Sequence, residues 1–296
     1  MNQTIRKLLA GCALSIGLFS VSLTAANAEK MPEDVINLVP QQIRDSGVIR
    51  VGSQQTFPPV EFREPGKTEV VGVSADLLAE VADRLGLKLE YIHGEYSSLI
   101  PGVEAGRFDM ASGGISDNET REEKLDFVNY MMSGGSILVR DDEDGAKLDH
   151  IDKFCGRSVA TLLGSRIIMD AVEKASAICE TNGGKPITAE QLPSAPDARM
   201  QLDLKRVDGY LGDFPALVYM IETMPGKYQI AGGNFVLTPY VTSWGFGKNA
   251  NGLRDAVQKT MQTMLEDGTY AILMGKWGLG GGALPEITIN KPASKR

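Results

Sequence analysis

Polar groups able to grip a small charged molecule gather on one short loop and its return, Ser112-Gly113-Gly114-Ile115-Ser116-Asp117-Asn118-Glu119-Thr120-Arg121-Glu122-Glu123-Lys124-Leu125-Asp126-Phe127. The apolar stretch Phe108 to Ala111 reads as the end of a buried strand. Paired glycines then free the backbone to expose its carbonyls and N–H groups at the strand's carboxyl end, where open α/β sheets bind their ligands. Arg121 follows, and its planar five-donor fork suits a carboxylate better than any other side chain. From this segment alone Arg121 has two readings: an anchor for a carboxylate, or a surface cation pairing with Glu122 or Glu123.

Other chemistries have little to work with. Cys155, Cys179, His93 and His150 are scattered without metal-ligand spacing, and there is no HExxH or CxxC motif. No P-loop and no nucleophile–base pair stands out. Neither a metal nor a cofactor is expected.

The elements that must position the loop can be taken in order. Glu29 to Asp45 reads as an extended or loosely helical leader. Val48 to Gly52 is a strand, and Pro58 and Pro59 stop regular structure after it, leaving Phe57 on a loop. Ser74 is expected to cap an amphipathic helix with apolar residues at Leu77, Leu78, Val81, Ala82 and Leu85, ended by Gly86. A strand over Leu87–Ile92, a helix from Leu99 to Ala105 opened by Tyr96-Ser97-Ser98, and a strand over Phe108–Ser112 follow. This β-α-β-α-β order implies a parallel sheet with right-handed crossovers.

Leu125 to Arg140 is extended in pattern, with Ser136 to Val139 read as a strand leaving the first unit. A second set repeats the order. It has a strand at Ser158–Thr161, a turn at Leu162–Ser165 and a helix from Arg166 to Ile178. The glycine and serine before that helix present free N–H groups that favour an anion. A strand over Pro186–Leu192, a helix over Pro196–Arg206 and a strand at Gly209–Leu211 come next. Asp213 is placed to cap the helix Phe214–Glu222. Tyr240 to Gly247 runs back as a strand, helices Leu253–Leu265 and Thr269–Trp277 close the fold, and Gly280-Gly281-Gly282 begins a flexible tail. The simplest geometry is two α/β lobes joined by two crossings, near residues 133–140 and 238–247. Lobe 1 then comprises residues 29–137 and 243–296, and lobe 2 residues 138–242. The hinge between them makes a cleft.

The start of the chain reads as an address. Arg6 and Lys7 precede a mostly apolar run from Leu8 to Ala25, and Ala26-Asn27-Ala28 is a small-x-small cleavage site, together a secretory signal peptide. Leu9-Ala10-Gly11-Cys12 also matches a lipobox, although the match comes early and the apolar run continues past Cys12. Removal after Ala28 takes two positive charges from a net charge of −8. An acidic surface without basic clusters argues against nucleic acid and anionic membranes as partners. No later stretch approaches the roughly 20 apolar residues of a membrane span. Export permits a bond between Cys155 and Cys179, which would close a loop of roughly 25 residues and stabilise by about 3.5 kcal/mol in the chain-entropy model; two buried free thiols are the alternative.

Several segments in this order resemble the solute-binding proteins of bacterial ABC importers, specifically the polar amino-acid branch (extracellular solute-binding family 3). They are Val51-Gly52 with Phe57-Pro58-Pro59-Val60-Glu61-Phe62, Gly72-Val73-Ser74-Ala75-Asp76-Leu77, and Ser97 to Val103 with Gly106-Arg107-Phe108-Asp109. Arg121 with Leu125-Asp126-Phe127, Asp208 to Asp213, Gly268-Thr269-Tyr270 and Lys276-Trp277 complete the likeness, which covers roughly residues 47–278. The resemblance implies a two-lobed periplasmic binding fold of type II and a monomer whose partners are an amino acid and an ABC permease. Arg121 and Ser116 would hold the ligand's α-carboxylate, helped by N–H groups near Thr161, Gly164 and Ser165. Asp213 and the Gly114 carbonyl would take the α-ammonium, and Phe57 and Tyr96 would sandwich the side chain. Gln54 stands where many relatives carry an acid that reads a basic side chain, the loop Thr161–Gly164 is unusually apolar, and Gly212 leaves room. These departures point away from a Lys or Arg pocket, toward a neutral polar or larger ligand; opine-like derivatives also occur in the family.

Two other classes compete. Some exported relatives resemble this family yet dehydrate prephenate-like acids, which needs a poised acid or base; Glu95 is the nearest candidate. A sensor lobe would need a membrane span and an output domain, neither of which the sequence contains.

Overall fold

The computed structural model describes residues 30–233 and 237–296. The expected signal peptide, its cleavage after Ala28 and the lipobox at Cys12 lie outside the described residues. The leader forms two short helices, α1 (Glu33–Ile36) and α2 (Gln41–Ser46), and Gly47 ends the second in a left-handed conformation. Strand β1 (Val48–Ser53) buries Ile49 and Val51. Two-residue β2 (Thr56–Phe57) pairs antiparallel with β3 (Glu61–Arg63), which pairs with β4 (Val70–Val71). Phe57 therefore sits in a hairpin strand and is buried, not on an open loop as the prolines suggest.

Helix α3 (Val73–Leu85) packs Leu77, Leu78 and Val81 inward, as the apolar spacing predicts, and Gly86 closes it in a left-handed C-cap. Its start differs: Gly72 is the N-cap residue and no side chain caps the helix. Ser74 is buried, and its hydroxyl is committed to Glu61 instead. Strand β5 (Lys88–His93), helix α4 (Tyr96–Glu104), strand β6 (Met110–Asp117) and one-turn α5 (Glu119–Glu122) follow. β6 outruns the expected Phe108–Ser112 and takes in the glycine pair. A single 16-residue strand, β7 (Leu125–Arg140), then crosses the molecule.

The second set is β8 (Ser158–Leu162), α6 (Arg166–Thr181), β9 (Thr188–Leu192), α7 (Ala195–Asp203), β10 (Gly209–Asp213), α8 (Phe214–Thr223) and β11 (Tyr228–Ile230). β12 (Thr238–Gly247), α9 (Asn251–Glu266) and α10 (Thr269–Lys276) complete the regular elements. Cys155 and Cys179 are disulfide-bonded with Cα atoms 5.6 Å apart, tying the approach to β8 to the end of α6. Among the described residues no helix is long and apolar enough to cross a membrane.

One sheet runs in the order β5-β1-β6-β12-β7-β10-β8-β9, with β11 also on β7. Parallel trios β5-β1-β6 and β10-β8-β9 flank the antiparallel pair β12/β7. β7 serves both sides, pairing with β12 as far as Gly135 and with β10 from Gly135 to Leu138. Such parallel trios need helical crossovers; here the inner strands β1, β6, β8 and β10 are mostly buried, while the edge strands β5 and β9 are not. The residues after Gly282 are not a loose tail. Leu284 and Ile287 are buried, and Asn290 accepts from the Phe127 N–H at 2.8 Å while donating to Asp126 at 2.8 Å. Asp126 also takes Lys248 at 2.8 Å and Arg254 at 2.6 Å.

Candidate functional site

The carboxyl ends of β6 and β10 face each other across a narrow cavity of about 40 Å³. β6 reaches it with Gly113, Gly114 and Ser116, whereas β10 brings Gly212 and Asp213. β6 leaves its ladder with β12 at the glycines, where Ser112, Gly113 and Gly114 together stand opposite Trp244, between the pairs Ser243–Ile115 and Gly245–Ala111. A bulge of this kind re-aims backbone that would otherwise be locked in pairing. At Gly114 (φ +83°) a Cβ would lie 2.8 Å from the Phe57 ring, so only glycine lets the ring lie flat on the strand.

Arg121 is 8% exposed and its backbone N–H is capped by Asn118 Oδ1 at 2.9 Å. Its Nη1 donates to the carbonyl of Ser116 at 2.8 Å and to Ser116 Oγ at 2.6 Å. Nη2 donates to the carbonyl of Gly164 at 2.9 Å and to the Tyr96 hydroxyl at 3.3 Å, with the guanidinium over the Tyr96 ring. Glu122 pairs with Lys295 at 3.0 Å, so the surface reading of Arg121 does not hold. The fork is thus aimed inward and stands behind Ser116 and Tyr96, which line the cavity. Arg121 and Gly164 themselves line a neighbouring hollow that shares Tyr96.

Asp213 occupies the N-cap position of α8, yet its side chain makes no capping bond. Oδ1 instead accepts from Ser133 Oγ, and Oδ2 is buried without a partner. Burial pushes this carboxyl up to about 7, against the hydrogen bonds from Ser133 and Tyr240 that favour the ion. Gln54 is 2% exposed, with Nε2 on the Gly113 carbonyl at 3.5 Å and Oε1 buried without a donor. The cavity therefore offers two acceptors in need of hydrogen, one on Gln54 and one on Asp213.

Of the residues singled out in the sequence, Gln54, Phe57, Tyr96, Gly114, Ser116, Ser165 and Asp213 line this cavity. Thr161 does not; its hydroxyl donates to the Leu211 carbonyl at 3.0 Å. The N–H of Ser165 is bonded to Leu162 at 3.1 Å and that of Gly164 faces Gln191 Oε1 at 3.4 Å. Those two donors are spent inside the protein. The open first-turn N–H groups of α6 belong to Ile167 and Ile168, which do line the cavity. Ser133, Tyr210 and Tyr240 were not anticipated; Ser133 beside Gly134-Gly135 in an otherwise apolar strand was the available signal. Glu95, the acid an enzyme would need, is half-exposed beside His93 at 3.7 Å and lines no part of the cavity.

With this geometry established, likeness to known proteins is informative. The family model for bacterial extracellular solute-binding proteins, family 3, matches residues 49–280. The arginine-binding protein ArgT of Corynebacterium glutamicum is 29% identical over 254 residues, covering 86% of this chain and 82% of that protein. An ancestral arginine-binding protein bound to glutamine superposes with a TM-score of 0.69 at 27% identity, over 79% of this chain and 98% of the other. The ancestral amino-acid-binding protein AncCDT-1, described as a precursor of cyclohexadienyl dehydratase, gives 0.68 at 24% identity over 81% and 98%, a likeness of fold.

Proposed function

The chain belongs to the bacterial extracellular solute-binding proteins, family 3, and on that premise we propose that it captures a small zwitterionic amino acid, or a derivative of one, and presents it to the membrane permease of an ABC transporter. The work is done outside the cytoplasmic membrane, in the periplasm, and its output is conformation, not turnover. Residues 29–137 with 243–296 act as one lobe and residues 138–242 as the other, hinged where β7 and β12 cross.

The observation that carries this reading is a buried carboxyl with an unpartnered oxygen at the end of β10 lining a cavity whose opposite wall, Ser116 and Tyr96, is backed by the buried guanidinium of Arg121 on α5. A zwitterion leaving water needs both charges met by hydrogen-bonded partners, because an unmatched buried charge is expensive. Asp213 takes the ammonium, losing its pull toward protonation. A carboxylate arriving beside Ser116 takes over the Arg121 donors now held by the Gly164 carbonyl and the Tyr96 hydroxyl, with the Ile167 and Ile168 N–H groups on its far side. Phe57 and Tyr96 enclose the side chain. Because the partners come from different lobes, full pairing exists only when the cleft is shut.

A thermal-shift screen of the twenty amino acids and common derivatives tests the proposal. A ligand at a hundred times its Kd stabilises by about 2.7 kcal/mol, so a clear rise in Tm for one or a few zwitterions is expected. A flat panel, together with turnover of prephenate, would replace the receptor by an enzyme.

A further inference from the structure

Glu61 is fully buried on β3, has no cationic partner among the described residues, and takes no part in the ligand contacts described above. Three serine hydroxyls converge on its carboxyl group. Ser53 donates to Oε1, while Ser112 at 2.5 Å and Ser74 at 3.0 Å donate to Oε2. Ser74 and Ser112 are 2.8 Å apart, and the Trp244 indole N–H donates to Ser74 at 2.9 Å. The four elements β1, β3, α3 and β6 therefore meet at one side chain.

The placement of those partners along the chain is informative. Ser53 directly precedes Gln54, and Ser112 directly precedes Gly113 and Gly114. Glu61 itself is the cross-strand partner of Phe57. Two of the three serine anchors, Ser53 and Ser112, are thus next to residues that line the cavity, while Ser74 ties the carboxyl to α3. Gln55, just beyond Gln54, adopts φ +58°, a left-handed conformation that a side chain with a Cβ disfavours and that persists only where its surroundings enforce it. The Gln55 carbonyl is held by the Arg63 N–H at 3.1 Å, on the same hairpin as Glu61. Both carboxyl oxygens of Glu61 are engaged by hydroxyls from three different elements, so the cluster ties those backbones to one buried point.

We propose that Glu61 is a positioning residue of the ligand site, setting through Ser53 and Ser112 the wall of Gln54, Phe57, Gly113 and Gly114 that reads the ligand's side chain. The inference rests on the amino-acid reading given above. The charged partners of the α-carboxylate and α-ammonium, Arg121 and Asp213, lie outside this wall, which touches the ammonium only through the Gly114 carbonyl. Loosening this wall therefore changes the discrimination between side chains more than the affinity for zwitterions in general. Destabilisation of the fold alone would weaken every amino acid by the same factor.

The test is a calorimetric Kd panel with the twenty L-amino acids on wild type, Glu61→Gln and Ser112→Ala. Met264→Ala, a core change in α9 remote from the wall, serves as a control, and Tm is measured for each protein. Glu61→Gln keeps the shape but turns one acceptor oxygen into a donor facing a hydroxyl. The Kd ratio between the two tightest wild-type binders is expected to change at least fivefold in Glu61→Gln and to move the same way in Ser112→Ala. Met264→Ala leaves that ratio within twofold at a comparable or greater loss of Tm. Ratios unchanged in Ser112→Ala and in Glu61→Gln, with Tm lowered, would overturn the inference; should Glu61→Gln not fold, Ser112→Ala decides it alone. Absence of binding to wild type by every amino acid would instead remove the functional reading and this inference with it.

Discussion

The Arg121 guanidinium donates to the carbonyl of Gly164 at 2.9 Å, joining the turn after β6 to the turn after β8. The contact uses one edge of the fork, and Ser116 holds the other. Removing the guanidinium leaves a ligand carboxylate without its charged partner. Arg121→Ala should therefore cost at least about 3 kcal/mol of binding free energy, more than a hundredfold in Kd. Arg121→Lys should recover only part of it, because a point charge cannot reproduce the fork. Unchanged affinity in Arg121→Ala by calorimetry would take Arg121 out of the site.

Asp213 makes binding depend on pH. Its carboxyl is pushed up to about 7 by burial, so much of it is protonated below neutrality until an ammonium arrives. Affinity should be greatest above pH 7 and fall toward tenfold per unit below it, with a proton released on binding near pH 7. Calorimetry in buffers of differing ionisation enthalpy reads that proton directly. No proton release between pH 6 and 7.5 would count against Asp213 as the ammonium partner.

The same group predicts an unusual stability effect. A carboxyl raised in the folded state adds stability that is present below its ordinary value near 4 and is lost as pH rises through the folded value near 7. Asp213→Asn should thus raise Tm at pH 8 without ligand while abolishing tight binding. A fall in Tm would return Asp213 to a structural role at the start of α8.

Gln54 sets the expected class of side chain. Among the described residues the only carboxyl lining the cavity is that of Asp213, and Glu61 behind Gly113 is saturated by hydroxyls. L-glutamine should bind at least tenfold more tightly than L-arginine, whose side-chain charge would be buried without a counter-ion, and more tightly than L-methionine, which offers Gln54 Oε1 no donor. Gln54→Glu should narrow or invert the order of glutamine and arginine. A wild-type preference for arginine in a competition assay would refute this.

The disulfide closes a loop with a sequence separation of 24. Reduction should cost about 3.5 kcal/mol in the chain-entropy model, read as a Tm lower by roughly 7–14 °C for a chain of this size. Equal melting curves with and without reductant would dismiss the estimate.

Much of this architecture could be read from spacing. The inward stripe Leu77, Leu78 and Val81 defined α3, Gly86 marked its end, and the β-α order announced parallel strands. The start of α3 was misread because Ser74 has the right type for a cap but is drawn away by Glu61, a partner 13 positions upstream. The packed segment after Gly282 was also hidden, since three glycines signal flexibility while Asn290 and Leu284 find their contacts far back in the chain. In the site, residue types pointed to Arg121, Ser116 and Asp213. Ser133 and Tyr240 escaped because their role comes from β7 pairing with β12 on one side and β10 on the other, a long-range arrangement that local pattern does not encode.

Lys295 and Arg296 lie against Glu122, Asn129 and Thr288, Glu122 being the chain neighbour of Arg121. A fluorophore or affinity handle fused directly at this point would compete with the ion pair and hydrogen bonds that Lys295 and Arg296 make beside α5 and β7, so tags for sensor work belong on the far edge of the sheet, beside β9.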